Sequence, residues 1–169
     1  MKSQNQSILS IGSNQGNRLE TIQKCIQLIQ LEIGTVFSVS KLYETPSWGF
    51  ESDSFYNCAI AIQTSKSAQK LLSSCLKIEK KLGRIRSLHE DYQPRIIDID
   101  IISFENVIID SANLVVPHPQ MQDRLFVLLP MKDLQLEFVH PIMNKSTQDL
   151  IDSCKDKSNC KVVSNLALP

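Results

Sequence analysis

Apolar positions along the chain change period several times, and each change marks an element. Residues 7–12 form a short apolar run that ends in GSNQGN (12–17), a segment dense in turn formers. This predicts a first strand closed by a loop. Asn17 with Glu20 three residues later resembles a capping box. Leu19, Ile22, Ile26, Ile29 and Ile33 then recur at helical spacing, and Gly34 stands where a helix would stop. Residues 36–43 are β-branched and aromatic and predict a second strand; 44–53, with Pro46 and Gly49, a long loop; 56–64 a third strand. Ala68, Leu71, Leu72, Cys75, Ile78 and Leu82 predict a second amphipathic helix, capped by Ser65 or Ser67 and closed by Gly83. After a polar loop over 84–94, residues 95–104 read as a fourth strand, which Glu105 and Asn106 turn into a short partner at 107–109.

Strand, helix, strand, strand, helix, strand is the order of an α+β ferredoxin-like sandwich, an antiparallel sheet with two helices packed on one face, here plus an added hairpin. Beyond it, residues 121–129 predict a helix ended by Pro130, and 146–149 open another that runs through Leu150, Ile151 and Cys154. Residues 155–161 are polar and 166–169 show no partner. The expectation is one domain over 1–154 with a loosely held tail over 155–169.

Composition narrows the function. Eighteen basic against 18 acidic residues cancel, so no global field draws the chain to nucleic acid or anionic lipid. No apolar run reaches the ~20 residues that span a bilayer, and the polar start, 1–6, lacks a signal-peptide core. Five cysteines (Cys25, Cys58, Cys75, Cys154, Cys160) without CxxC spacing fit reduced thiols. The expectation is a cytoplasmic monomer with small-molecule substrates, no membrane and no nucleic acid.

The fourth strand carries the chemistry. Alternation puts Ile96, Asp98, Asp100, Ile102 and Phe104 on one face and Ile97, Ile99 and Ile101 on the other. Two carboxylates on an otherwise apolar strand need partners. Either Arg84, Arg86 or Arg95 pairs with them, or they lie on a wet sheet face, or they gather divalent cations together with phosphate oxygens and water, as Mg²⁺ prefers. The three arginines flank the preceding loop and are suited to gripping phosphate. His118 and Arg124 bracket a further polar segment. The loop at 12–16 lacks the ending of a P-loop and reads as a turn first. Trp48, Phe50, Phe55 and Phe126 are core residues or stacking surfaces.

Taken in order, IGSNQGNR (11–18), SKLYETPSWG (40–49), FYNCAIAIQT (55–64), IEKKLGRIR (78–86), PRIIDIDII (94–102) and VPHPQMQDRLFVLLP (116–130) resemble the 6-hydroxymethyl-7,8-dihydropterin pyrophosphokinases of folate biosynthesis. The resemblance runs from about residue 7 to residue 136. It implies a ferredoxin-like domain that moves the β,γ-diphosphoryl group of ATP, the co-substrate, onto the pterin's hydroxymethyl oxygen and releases AMP. It implies that Asp98 and Asp100 bind two Mg²⁺ ions, and that Thr45, Pro46, Trp48, Phe55, Asn57 and Phe126 bind the pterin. Glu79, Arg84, Arg86, Arg95, Ile101, His118 and Arg124 match positions that contact ATP, with Arg84, Arg95 and both aspartates in the catalytic set.

The chain also departs from the family pattern. The loop over 86–94 is one residue longer, with His89, Glu90 and Asp91 where a further arginine stands and Tyr92 in place of tryptophan. Pro119 replaces a tyrosine, and Trp48 is bulkier than the usual aliphatic residue. Two rival classes share the pattern: a ferredoxin-like RNA-binding or regulatory module, which needs exposed aromatics on central strands and net basic charge, and a nucleotidyltransferase using the same carboxylates.

Overall fold

The computed structural model describes residues 4–47, 52–85 and 95–169. Its elements are β1 (Asn5–Ser13), α1 (Arg18–Glu32), β2 (Thr35–Val39), β3 (Leu42–Thr45), β4 (Phe55–Thr64), α2 (Ala68–Lys81), β5 (Asp98–Phe104), β6 (Ile109–Ser111), β7 (Leu114–Val116), α3 (Leu125–Asp133), α4 (Thr147–Ser153) and β8 (Lys161–Ser164). The main sheet has the order β5–β1–β4–β3–β8, with β2 also on β4, and every pairing is antiparallel. The helix starts follow the sequence: Asn17 accepts the Glu20 N–H to cap α1, and Ser67, not Ser65, caps α2.

The sheet is covered on both faces. Leu9, Ile11, Cys58, Ile60 and Ile62 pack against Ile22, Ile26, Leu71 and Ile78 of α1 and α2. On the opposite face Ile8, Ala59, Ala61 and Ile102 meet Met121, Val127, Leu128 and Met131, with Leu150 and Cys154 behind them. The two helices expected on one face are there, and α3 and α4 form a layer on the other that the ferredoxin pattern did not include.

Several expected elements are corrected. The run 36–43 is two strands, because the pairing shifts by one residue between Val39↔Ile60 and Tyr43↔Asn57. Ser40 fills the irregularity, its Oγ accepting the Ala59 N–H at 2.9 Å. The fourth strand begins at Asp98, and a register shift opposite Ile8/Leu9 flips its far end. Ile96 and Phe104 therefore pack into the α1/α2 core with Ile97, Ile99 and Ile101, away from the aspartates. The expected hairpin at 107–109 is absent: Glu105 takes a positive φ of 48°, and β6 pairs with β7 as a separate small sheet. Pro130 lies inside α3, and a 3₁₀ turn at Met121–Asp123 precedes that helix.

The tail is the largest correction. Residues 161–164 add a strand to the outer edge of β3, pairing Tyr43↔Val162 and Glu44↔Lys161. Two adjacent valines, Val162 and Val163, suit a strand, and the pairing satisfies backbone groups that β3 would otherwise leave unpaired.

Candidate active site

The strand register assembles a row of side chains beneath α3. Gly12 on β1 pairs with Asn57 on β4 and with Asp98 on β5, and Asn57 stands opposite both Gly12 and Tyr43 on β3. Cross-strand partners point to the same face. In the adjacent row Ser10 sits between Ala59 and Asp100. With strands ~4.8 Å apart, Asn57 and Asp98 are about 10 Å apart with Gly12 between them.

The Asn57 end is neutral and locked. Asn57 is 4% exposed, and its Nδ2 donates to Thr45 Oγ1 at 2.7 Å. A Cβ on Gly12 would lie 2.8 Å from Asn57 Oδ1 and 3.8 Å from Phe55 Cδ1. Glycine is what allows the asparagine to lie over β1. Phe55 is partly buried and Pro46 exposed.

The Asp98 end is charged. Its two oxygens accept from Nη1 of Arg84 and Nη1 of Arg95. Arg84 Nη1 also donates to Glu79 Oε1 at 2.6 Å, and that same oxygen accepts the Ile99 N–H at 2.8 Å. Burial works against the Asp98 charge, but the Arg95 and Arg84 guanidiniums outweigh it and hold the carboxyl below its ordinary range. Of the alternatives the sequence left open, arginine pairing is therefore realised at Asp98. It is not realised at Asp100, which forms no ion pair among the described residues. Burial, then the neighbouring Asp98 charge, pushes the Asp100 carboxyl up to about 7. Among the described residues no group of three or more His, Cys, Asp or Glu could hold a metal by itself. A cation here would take its remaining ligands from water or phosphate.

Other expected residues fall at varied distances from this centre. Burial and then the Arg124 charge lower the His118 ring to about 4. Its Nδ1 accepts the Gln120 N–H at 3.2 Å, which leaves the proton of the neutral ring on Nε2, free to donate. The Arg124 guanidinium lies 5.7 Å from the Phe126 ring centroid, so the two flank the start of α3. Glu79 is 1% exposed and braces Arg84 and β5. The Ile101 side chain is buried on the opposite face, leaving only its main chain, on the edge strand β5, for a ligand. Trp48, Arg86, Phe50, His89, Glu90, Asp91 and Tyr92 lie outside the described residues.

Asn14, in the turn that the sequence predicts after β1, joins two loops. Its backbone N–H donates to Arg95 O at 3.1 Å, and its Oδ1 accepts the Arg95 N–H at 2.6 Å. Its Nδ2 donates to Ser52 Oγ at 2.8 Å. The usable signal was a small polar side chain directly after the strand that carries Gly12.

The fold and this site define a class: ferredoxin-like domains whose sheet face sets a buried, hydrogen-bonded asparagine beside a cluster of carboxylates and arginines. In fold the chain is similar to Plasmodium falciparum HPPK-DHPS crystallised with pteroate, at a TM-score of 0.75 and 16% identity, covering 90% of this chain and 44% of that one. Residues 8–136 match the family 7,8-dihydro-6-hydroxymethylpterin-pyrophosphokinase (HPPK). The chain belongs to this family, a family of transferases in folate biosynthesis. It is 34% identical over 142 residues to the 2-amino-4-hydroxy-6-hydroxymethyldihydropteridine pyrophosphokinase of Aquifex aeolicus, covering 83% of this chain and 87% of that protein. It is 36% identical to the folic acid synthesis protein fol1 of Pneumocystis carinii over 88% of this chain, but spans only 20% of that longer protein.

Proposed function

We propose that the chain transfers the β,γ-diphosphoryl group of ATP to the hydroxymethyl oxygen of 6-hydroxymethyl-7,8-dihydropterin, giving AMP and the pterin diphosphate. The observation that carries this reading is the row Asn57, Gly12, Asp98: a buried amide suited to a pterin edge, a gap, and a carboxylate suited to the phosphate side. Asn57, set by Thr45, hydrogen-bonds the pterin, while Phe55 and Phe126 stack on its ring, and the family resemblance assigns Pro46 and Trp48 to the same ligand. Arg84, Arg95, His118 and Arg124 surround the triphosphate, Glu79 holds Arg84 in place, and the family resemblance assigns Arg86 to the same ligand.

The donor set fits Mg²⁺, because Asp98 and Asp100 are hard oxygen ligands and Asp100 forms no ion pair among the described residues. Two such ions, when bound, would neutralise triphosphate charge and polarise the phosphorus under attack. Asp98 would be free to hold such an ion once Arg84 and Arg95, each now bonded to one of its oxygens, turned to phosphate oxygens instead. The chain's own contribution is alignment: the stacked, hydrogen-bonded pterin presents its hydroxymethyl arm across Gly12 toward the phosphates. Product analysis with ATP, Mg²⁺ and the pterin tests the reading. AMP with pterin diphosphate is expected; ADP would reject diphosphoryl transfer, and a nucleotide adduct with released pyrophosphate would favour the nucleotidyltransferase.

A further inference from the structure

We propose that Asp156, in the segment that follows α4 and lies beyond the residues matching the family, is a positioning residue that sets the α3 start, where Arg124 and Phe126 face the substrates. The proposal rests on the pyrophosphokinase reading for what those two residues touch. The geometry stands by itself. A helix leaves its first backbone N–H groups without partners, and α3 has no side-chain cap of its own: Arg124 occupies the cap position and makes no capping hydrogen bond. The Leu125 N–H is the first of these donors, and it donates to Asp156 Oδ2 at 3.0 Å across 31 residues of sequence. A carboxylate here also meets the positive end of the helix dipole.

Asp156 is itself held from both sides. Its Oδ1 accepts the Ser158 N–H at 2.8 Å and the Ser158 hydroxyl. Just before it, Cys154 is buried against α3 and α4, and Lys157 Nζ donates to the Cys154 carbonyl at 3.0 Å. Just after it, β8 pairs with β3, two residues of which, Tyr43 and Thr45, flank Asn57. The segment thus runs as a strap from α4, past the α3 start, to the sheet edge next to the pterin pocket.

The test uses the full chain with Asp156→Ala, Asp156→Asn and Ser158→Ala. Asp156→Ala should weaken pterin binding, read from pterin fluorescence, and raise the pterin KM by roughly three- to tenfold, the scale of a lost helix cap. The ATP KM should move less than about twofold, because several other arginines hold the triphosphate. Asp156→Asn keeps one acceptor oxygen for the Leu125 N–H but turns an amide NH2 toward the Ser158 N–H, so it should restore only part of the loss; Ser158→Ala should shift pterin binding in the same direction by less. Amide exchange of Leu125 should quicken in Asp156→Ala and by less in Asp156→Asn. Unchanged Leu125 exchange in Asp156→Ala, or equal losses for both substrates, would overturn the proposal. Should the unaltered chain bind no pterin, the pyrophosphokinase reading fails, and Leu125 exchange alone still decides whether Asp156 sets α3. If Asp156→Ala does not fold, Ser158→Ala and Asp156→Asn decide it by the same readouts.

Discussion

The two ends of the row across β4, β1 and β5 are built on opposite principles. At the Asn57 end the polar side chains are neutral, buried and hydrogen-bonded: Asn57 to Thr45 at 2.7 Å, with Gly12 leaving room above β1. Little has to rearrange for a flat polar ring to enter. At the Asp98 end the side chains are charged and compensate one another: Glu79 holds Arg84, and Arg84 and Arg95 together hold Asp98. Asp100 is left outside that exchange, with a carboxyl raised to about 7 by burial and by Asp98. A neutral, hydrogen-bonded site can recognise its ligand by shape and hydrogen bonding alone. A charged pocket of this kind must trade internal ion pairs for ligand ion pairs, so its affinity is coupled to the arrival of counter-charge.

The largest effects should come from the charged end. Asp98→Ala and Asp100→Ala should each lower turnover by on the order of a thousandfold, the scale of several kcal/mol of transition-state stabilisation. Thermal melts of the ligand-free variants should separate them. Asp98→Ala strips Arg84 and Arg95 of their shared partner and should destabilise by about 1–2 kcal/mol, less than for a fully buried pair because Asp98 keeps some solvent contact. Asp100→Asn removes a poorly compensated charge and should melt no lower than the parent chain at pH 8. If both variants melted alike, the contrast between a paired and an unpaired aspartate would be lost; near-normal turnover in either would remove that residue from the proposed metal site.

The neutral end should respond by a smaller amount and on one substrate only. Asn57→Ala should weaken pterin binding by roughly tenfold or more, since it leaves polar ligand atoms unpaired, with the ATP KM unchanged. Gly12→Ala acts on the same group, pushing Asn57 Oδ1 from its 2.8 Å approach and straining the Thr45 bond. It should therefore raise the pterin KM by a few-fold alone and add almost nothing in the Asn57→Ala background, the non-additivity expected of residues in contact. Simple addition of the two losses would mean that Gly12 acts elsewhere.

What could be read in the sequence was local. Period-two alternation put Asp98 and Asp100 on one face of β5 because nothing interrupts the strand between them. The same alternation failed at Phe104, since a register shift opposite Ile8 and Leu9 depends on how β1 packs, and no side-chain pattern on β5 announces it. Helix starts at Asn17 and Ser67 were legible because the capping side chain sits beside the helix it caps. Asp156 was not, because it caps a helix that begins 31 residues earlier. Strand β8 was missed for a related reason: its four residues become a strand only when the outer edge of β3 is there to pair with them. The row Asn57, Gly12, Asp98 needed the strand order and two registers at once. Motif order could name the asparagine and the aspartate, but not the glycine between them.

The smallest effect concerns His118, a neutral group at the charged end. Burial and the Arg124 charge hold its ring at about 4, against the ordinary 6.5 or so for histidine. Because the folded value is depressed, the unfolded chain takes up the proton first as pH falls. The stabilising contribution is complete above about 6.5 and drains away as pH drops through that value toward 4. Ligand-free melts between pH 7 and pH 4.5 should therefore show an acid decline that His118→Gln makes shallower, by roughly 2–4 °C at the low end. Glutamine retains an N–H donor, so activity at pH 7.5 should fall only modestly, as expected if His118 gives a hydrogen bond from Nε2 and no charge. Melts of the variant that track the parent chain over the whole window would mean the ring titrates as a solvated histidine. The charged end would then hold a cationic imidazolium at mildly acidic pH, which would take some of the triphosphate binding assigned to the arginines.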